Sequence, residues 1–200
     1  MNKFKDLQYV CLIIGANRSG SSLLRAIIDA HPNAMIAHEL GRNDIYEDIY
    51  SSNIKKEEVF YKWYQNALNK RPVSQRLIYD KKTGKIKKSI YNNTIENSSQ
   101  GNCDTLKVIG DKSGPWIAKK INDDLKFVKK LDSFFGITVK YINIVRNPLD
   151  NIMSMKLAHH DYKKYFYWCN GPLEISKNVN PNNYMDLYLE ELIDYPVDSL

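Results

Sequence analysis

The octapeptide Gly15-Ala16-Asn17-Arg18-Ser19-Gly20-Ser21-Ser22 combines glycines, which let a backbone turn tightly, with hydroxyls that can donate to an anionic oxygen. Against the pattern G-x-x-x-x-G-K-[ST], both glycines and the final hydroxyl are in place, but Ser21 holds the lysine position. Such a loop forms a nest of N–H groups at a helix N-terminus, which suits a phosphate. A nucleoside triphosphatase would also need the lysine charge and an acidic residue closing another strand to hold magnesium. The strongest later strand candidate, Val139–Val145, ends in Arg146 instead. A cation at that point disfavours triphosphate chemistry and suits a ligand with a second, metal-free phosphate.

The elements that must position these residues are legible as short apolar runs. Residues 9–14, YVCLII, read as a buried strand ending at Gly15. Ser21–Ala30 follows as a helix with Leu23, Leu24, Ile27 and Ile28 on one face, closed by His31-Pro32. Residues 34–37 predict a second strand ending at His38-Glu39, and Ile54–Leu68 a helix packing Phe60, Trp63, Tyr64, Ala67 and Leu68. Leu106–Ile109 predicts a strand ending in Gly110-Asp111-Lys112-Ser113, and Asp123–Phe135 a helix. Pro148 suits the first turn of a helix running to about His160. The alternation implies βαβ units, a parallel sheet between helix layers, and ligand loops along one carboxyl edge. Residues 1–200 read as one domain, with an insertion or flexible excursion at 71–102: a Lys-rich hairpin around Thr83-Gly84, then an Asn/Ser-rich loop from Asn92 to Asn102.

Two segments carry a family resemblance. GANRSGSSLLRAIIDAHP is similar to the 5′-phosphosulfate loop of sulfotransferases that use PAPS, in the R-S-G-[ST]-[ST]-L-L form of bacterial, carbohydrate and tyrosylprotein members. YINIVRNPLDNIMS resembles the 3′-phosphate segment of the same family: an apolar strand, Arg, Asx-Pro, and Ser eight residues after the Arg. The resemblance implies a P-loop NTPase-like α/β/α fold that moves the sulfuryl group of PAPS to an acceptor hydroxyl or amine, releasing PAP, without a metal. It implies that the loop Asn17, Arg18, Ser19, Gly20, Ser21 and Ser22 holds the 5′-phosphate, and that Arg146 and Ser154 hold the 3′-phosphate. Arg18 would face the oxygen bridging phosphorus and sulfur, where charge builds in the transition state. Glu39, 21 residues after Arg18, resembles the family's catalytic glutamate and would take the acceptor's proton, with His38 as the other candidate. Lys112, in GDKSGP, resembles the lysine of an E-K-T-P or K-D-P segment that assists the leaving group. YLEELIDYP echoes a segment after which family members continue. The expectation is therefore a truncated fragment or a minimal form closed by a partner chain, with a binding-only protein as one alternative and a divergent P-loop kinase or NTPase as another.

Composition bounds the remaining classes. With 43% hydrophobic and 26% charged residues the chain is ordinary for a globular protein. No run of about 18 apolar residues predicts a membrane span, and the short first apolar run lacks the features of a signal peptide, so a cytoplasmic location is expected. Cys11, Cys103 and Cys169 have no C-x-x-C spacing and predict neither a disulfide framework nor a zinc site. The net charge of +6 favours anionic ligands, but lysines outnumber arginines 23 to 6 and form no stripe interleaved with aromatics. Nucleic acid is therefore not expected; the partners are a small-molecule, glycan or peptide acceptor, and an oligomer is compatible with the sequence.

Overall fold

A computed structural model describes residues 3–40, 44–69, 73–80, 85–92, 95, 98–100, 103 and 105–194. A five-stranded sheet is formed by β1 (Tyr9–Ile14), β2 (Ala34–His38), β5 (Val108–Gly114), β6 (Thr138–Val145) and β7 (Tyr184–Tyr188). Its order is β2-β5-β1-β6-β7, and every pairing is parallel. β3 (Val73–Asp80) and β4 (Lys85–Asn92) form a separate antiparallel pair. They flank the expected hairpin turn; Thr83-Gly84 itself lies outside the described residues, as does Tyr195-Pro196.

The apolar run of β1 is continuous because both of its faces are covered. Alternate side chains of a strand point to opposite faces. Val10, Leu12 and Ile14 join a core with Trp63 of α3 (Lys56–Asn69), Ile117 and Ile121 of α4 (Pro115–Asp123) and Phe127, Leu131 and Phe135 of α5 (Lys126–Phe135). Tyr46 and Ile49 of α2 (Ile45–Ser51) pack into that same core. Cys11 and Ile13 face Leu24 of α1 (Ser21–Asp29), together with Leu187 of β7 and Leu189 and Leu192 of α8 (Leu189–Asp194). The result is the expected α/β fold, a parallel sheet between helix layers. Among the described residues no helix is long and apolar enough to cross a membrane.

Several boundaries differ from the sequence expectation, each for a local reason. The helix expected over Asp123–Phe135 starts later, at Lys126: Asp123 closes α4, Asp124 turns extended, and its carboxylate accepts from the Lys126 amide at 2.9 Å, starting α5 afresh. β5 does not stop at Ile109 but continues through Asp111 and Lys112 to Gly114. α6 (Pro148–Leu157) ends before the two histidines, and His159 adopts φ 57°. α2, α4 and α7 (Tyr165–Asn178, with Pro172 inside) were not expected.

The topology creates a switch point. β1 connects through α1 to β2 on one side, whereas β6 connects through α6 and α7 to β7 on the other. The connections diverge between neighbouring strands, leaving a crevice at the carboxyl ends of β1 and β6, where such sheets bind ligands.

Candidate active site

After β1 the chain turns on two glycines with positive φ, 135° at Gly15 and 101° at Gly20. Side chains disfavour these conformations, and there is no room for one either. A Cβ at Gly15 would lie 2.7 Å from the Ile144 carbonyl oxygen, and one at Gly20 2.6 Å from Leu189 Cδ1. Arg18, between them, is itself left-handed at φ 70°. Ser19 staples the turn from inside, its amide and hydroxyl donating to the Ala16 carbonyl at 3.3 and 2.8 Å. Its groups are therefore spent within the turn. The ladder of α1 starts where the Leu23 and Leu24 amides donate to the Gly20 carbonyl at 2.9 and 3.1 Å. The amides of Gly20, Ser21 and Ser22 stand ahead of it, at the positive end of the helix dipole.

The opposite wall comes from β6 and α6. Asn147 caps α6 by accepting from the Leu149 and Asp150 amides at 3.0 and 3.5 Å, with Pro148 in the first turn. Its own amide donates to Glu190 Oε1 at 2.9 Å, which ties this corner to α8. One face of α6 then meets the loop. Asn151, 1% exposed, donates to the Asn17 carbonyl at 3.0 Å, and Ser154 Oγ accepts from Arg18 Nε at 3.2 Å. Arg146 Nη1 donates to the Arg18 carbonyl at 3.2 Å. Arg18, Arg146 and Ser154 are thus in contact despite sequence separations of 128 and 136 residues.

Glu39 and Lys112 meet further along the same edge. Lys112, 4% exposed, places its ammonium 2.5 Å from Glu39 Oε1, and the Glu39 amide donates to the Lys112 carbonyl at 3.0 Å. Burial pulls the Lys112 ammonium below the ordinary lysine range, while Glu39, and then Asp111, pull it back up. Glu39 is left-handed, φ 56°. Strands in a sheet lie about 4.8 Å apart, so the β2 and β5 ends stand roughly 5–10 Å from the loop after β1. The carboxyl edge thus carries, in order, a carboxylate–ammonium pair, an amide nest with an arginine, and a second arginine with a hydroxyl.

A family model described as the sulfotransferase family matches residues 11–200. The chain belongs to the sulfotransferase family. Among solved structures it is similar to the sulfotransferase domain of the Synechococcus PCC 7002 olefin synthase, at 17% identity and TM-score 0.52, covering 98% of this chain and 71% of that one. A sulfotransferase domain from the curacin biosynthetic pathway aligns at 14% identity and TM-score 0.48, covering 98% of this chain and 72% of that one. No curated protein matches.

In this sulfotransferase-family chain the nominated residues fall into two groups on one edge: Asn17 to Ser22 with Arg146 and Ser154, and Glu39 with Lys112. Sequence reasoning overlooked Asn151, whose only signal was its helical offset from Asn147 and Ser154. It also passed over Asp111, a charged residue in a strand interior with no exposed surface. Arg25 and Asp29, both buried, serve the scaffold. Arg25 Nε donates to the Ile36 carbonyl at 2.8 Å and Asp29 accepts from the Ile36 amide at 2.9 Å, clipping α1 to β2.

Proposed function

We propose that this sulfotransferase-family chain binds PAPS and transfers its sulfuryl group to an acceptor hydroxyl or amine by in-line displacement. The observation that carries the reading is the convergence of Arg18, Arg146 and Ser154 on the amide nest ahead of α1. The nest, with the Ser21 and Ser22 hydroxyls, takes the 5′-phosphate, and Arg146 with Ser154 takes the 3′-phosphate through charge-assisted hydrogen bonds. Arg18 stands beside the bridging oxygen. As the acceptor oxygen bonds to sulfur and the bond from sulfur to the oxygen bridging it to phosphorus breaks, negative charge collects on the departing PAP. A fixed cation there stabilises the transition state more than the ground state.

Glu39 takes the acceptor's proton. One of its oxygens is engaged by Lys112, which orients the carboxylate, and the hydroxyl approaches the other. Lys112 adds positive charge to the same edge. Positioning and charge supply most of the catalysis, as in phosphoryl transfer.

The test is calorimetric binding of PAP, ADP and AMP without magnesium, followed by transfer of labelled sulfate from PAPS across an acceptor panel. A clear preference for PAP together with a labelled product is expected. ADP binding as tight as PAP, or binding that requires magnesium, would sink the reading in favour of a divergent P-loop kinase or NTPase.

A further inference from the structure

Glu39 occupies a backbone conformation that a residue with a side chain holds at a cost, on the order of 1–2 kcal/mol. Such residues persist where surrounding contacts over-determine them. Three contacts on the 39–40 turn come from β5. The Glu39 amide donates to the Lys112 carbonyl at 3.0 Å, the Glu39 carboxylate accepts from the Lys112 ammonium, and the Leu40 amide donates to Asp111 Oδ1 at 3.3 Å. Asp111 has no exposed surface, and its second oxygen accepts from the Tyr46 hydroxyl of α2 at 3.1 Å. Asp111 pairs in register with Ala37 and Lys112 with His38, so the two side chains leave β5 on opposite faces of the sheet. The turn is gripped from both sides.

We propose that Asp111 is a positioning residue: held by Tyr46, it fastens the Glu39–Leu40 turn to β5 and sets the Glu39 carboxylate against Lys112. This rests on the proposed role of Glu39 in transfer. A carboxylate in an apolar core is costly unless fully hydrogen-bonded, and the cost is offset here by two donors and by the nearby charges of Lys112 and Arg25. Burial, then the charge of Asp111, raise the Tyr46 phenol well above its ordinary value, so it stays a donor throughout the working range. The charged and titratable groups around Lys112 are Glu39 and His38 from the β2 end, Asp111 on its own strand and Arg25 from α1. Asp111 and Glu39 favour its protonated form, and Arg25 opposes it.

The test compares Asp111→Asn and Tyr46→Phe with the parent chain in two independent readouts, after melting curves establish that each variant is folded. The first needs no transfer: the Lys112 ammonium is titrated by NMR with labelled lysine, assigned by Lys112→Arg. Asp111→Asn removes a negative neighbour, so Lys112 loses its proton at lower pH than in the parent, and Tyr46→Phe, which keeps the charge, shifts it less. The second readout is steady-state transfer. Asp111→Asn lowers kcat by about tenfold and Tyr46→Phe by about threefold, while KM for PAPS stays unchanged. The alkaline limb of the Asp111→Asn rate profile moves to lower pH with the Lys112 titration. A Lys112 titration identical in all three proteins overturns the proposal, as does a rise in KM for PAPS with kcat intact. An inactive parent whose Lys112 titration still shifts in Tyr46→Phe, which keeps the Asp111 charge and removes only its tether, leaves the clamp standing and removes the transfer reading instead. If Asp111→Asn does not fold, Tyr46→Phe decides by the same two readouts.

Discussion

Arg18 and Glu39 share a left-handed backbone, at φ 70° and 56°, yet they are held in opposite ways. The Arg18 turn is fastened by side chains arriving from β6 and α6, namely Arg146, Asn151 and Ser154. Two of these, Arg146 and Ser154, are the groups proposed to bind the donor, so the turn is fixed in part by partners that a ligand would also engage. The Glu39 turn is fastened by the adjacent strand through Asp111 and Lys112, both buried. Its geometry is set before any ligand arrives. On the proposed roles, the donor half is therefore the responsive part of the edge and the acceptor half the preorganised part.

Substitutions that strike one half and spare the other test that division. The largest effect is expected from Arg18→Ala, which removes the cation at the leaving group: turnover falls by about a thousandfold in labelled-sulfate transfer, with PAP affinity changed far less. Glu39→Gln keeps shape and removes the base, lowering kcat by about a hundredfold and leaving PAP binding at the parent value in calorimetry. Arg146→Ala reports on the donor half: PAP affinity weakens by about thirtyfold, while kcat at saturating PAPS stays within a fewfold of the parent. The same change should leave affinity for AMP, which lacks the 3′-phosphate, nearly untouched. Smallest in free energy is Gly20→Ala, where the strained φ and the contact with Leu189 lower the melting temperature, equivalent to about 1–2 kcal/mol. A loss of PAP affinity from Glu39→Gln matching that from Arg146→Ala would erase the distinction between the halves.

The donor half was the more legible in sequence. β1 announces itself as a continuous apolar run because both of its faces are covered, β6 as a strand buried at Val139, Tyr141 and Ile144 with Lys140 and Asn143 between them, and each is followed by a residue of unmistakable chemistry, Gly15 and Arg146. The acceptor half was not. Glu39 and Lys112 lie 73 residues apart, and what brings them together is the register of β2 against β5, which no local pattern reveals. Gly110-Asp111-Lys112-Ser113 reads as a turn because polar residues rarely fill a central strand. They do so here because the strand end belongs to the site, the kind of place where local rules are expected to fail. Lys112 was nominated by family resemblance alone, and Asp111, its neighbour, passed unnoticed for want of a partner within reach in sequence.

The sheet order also bears on how the chain reaches this state. β1 lies between β5 and β6, so neither of its hydrogen-bonding edges is filled until Val108–Gly114 and Thr138–Val145 are at hand. During synthesis or refolding, an apolar hexapeptide made first must wait for partners made about a hundred residues later. Pairings of that separation form slowly and leave exposed strands open to aggregation in the interval. Pulse-labelled hydrogen exchange during refolding should find the β1 amides gaining protection together with those of β5 and β6, as one late cooperative step.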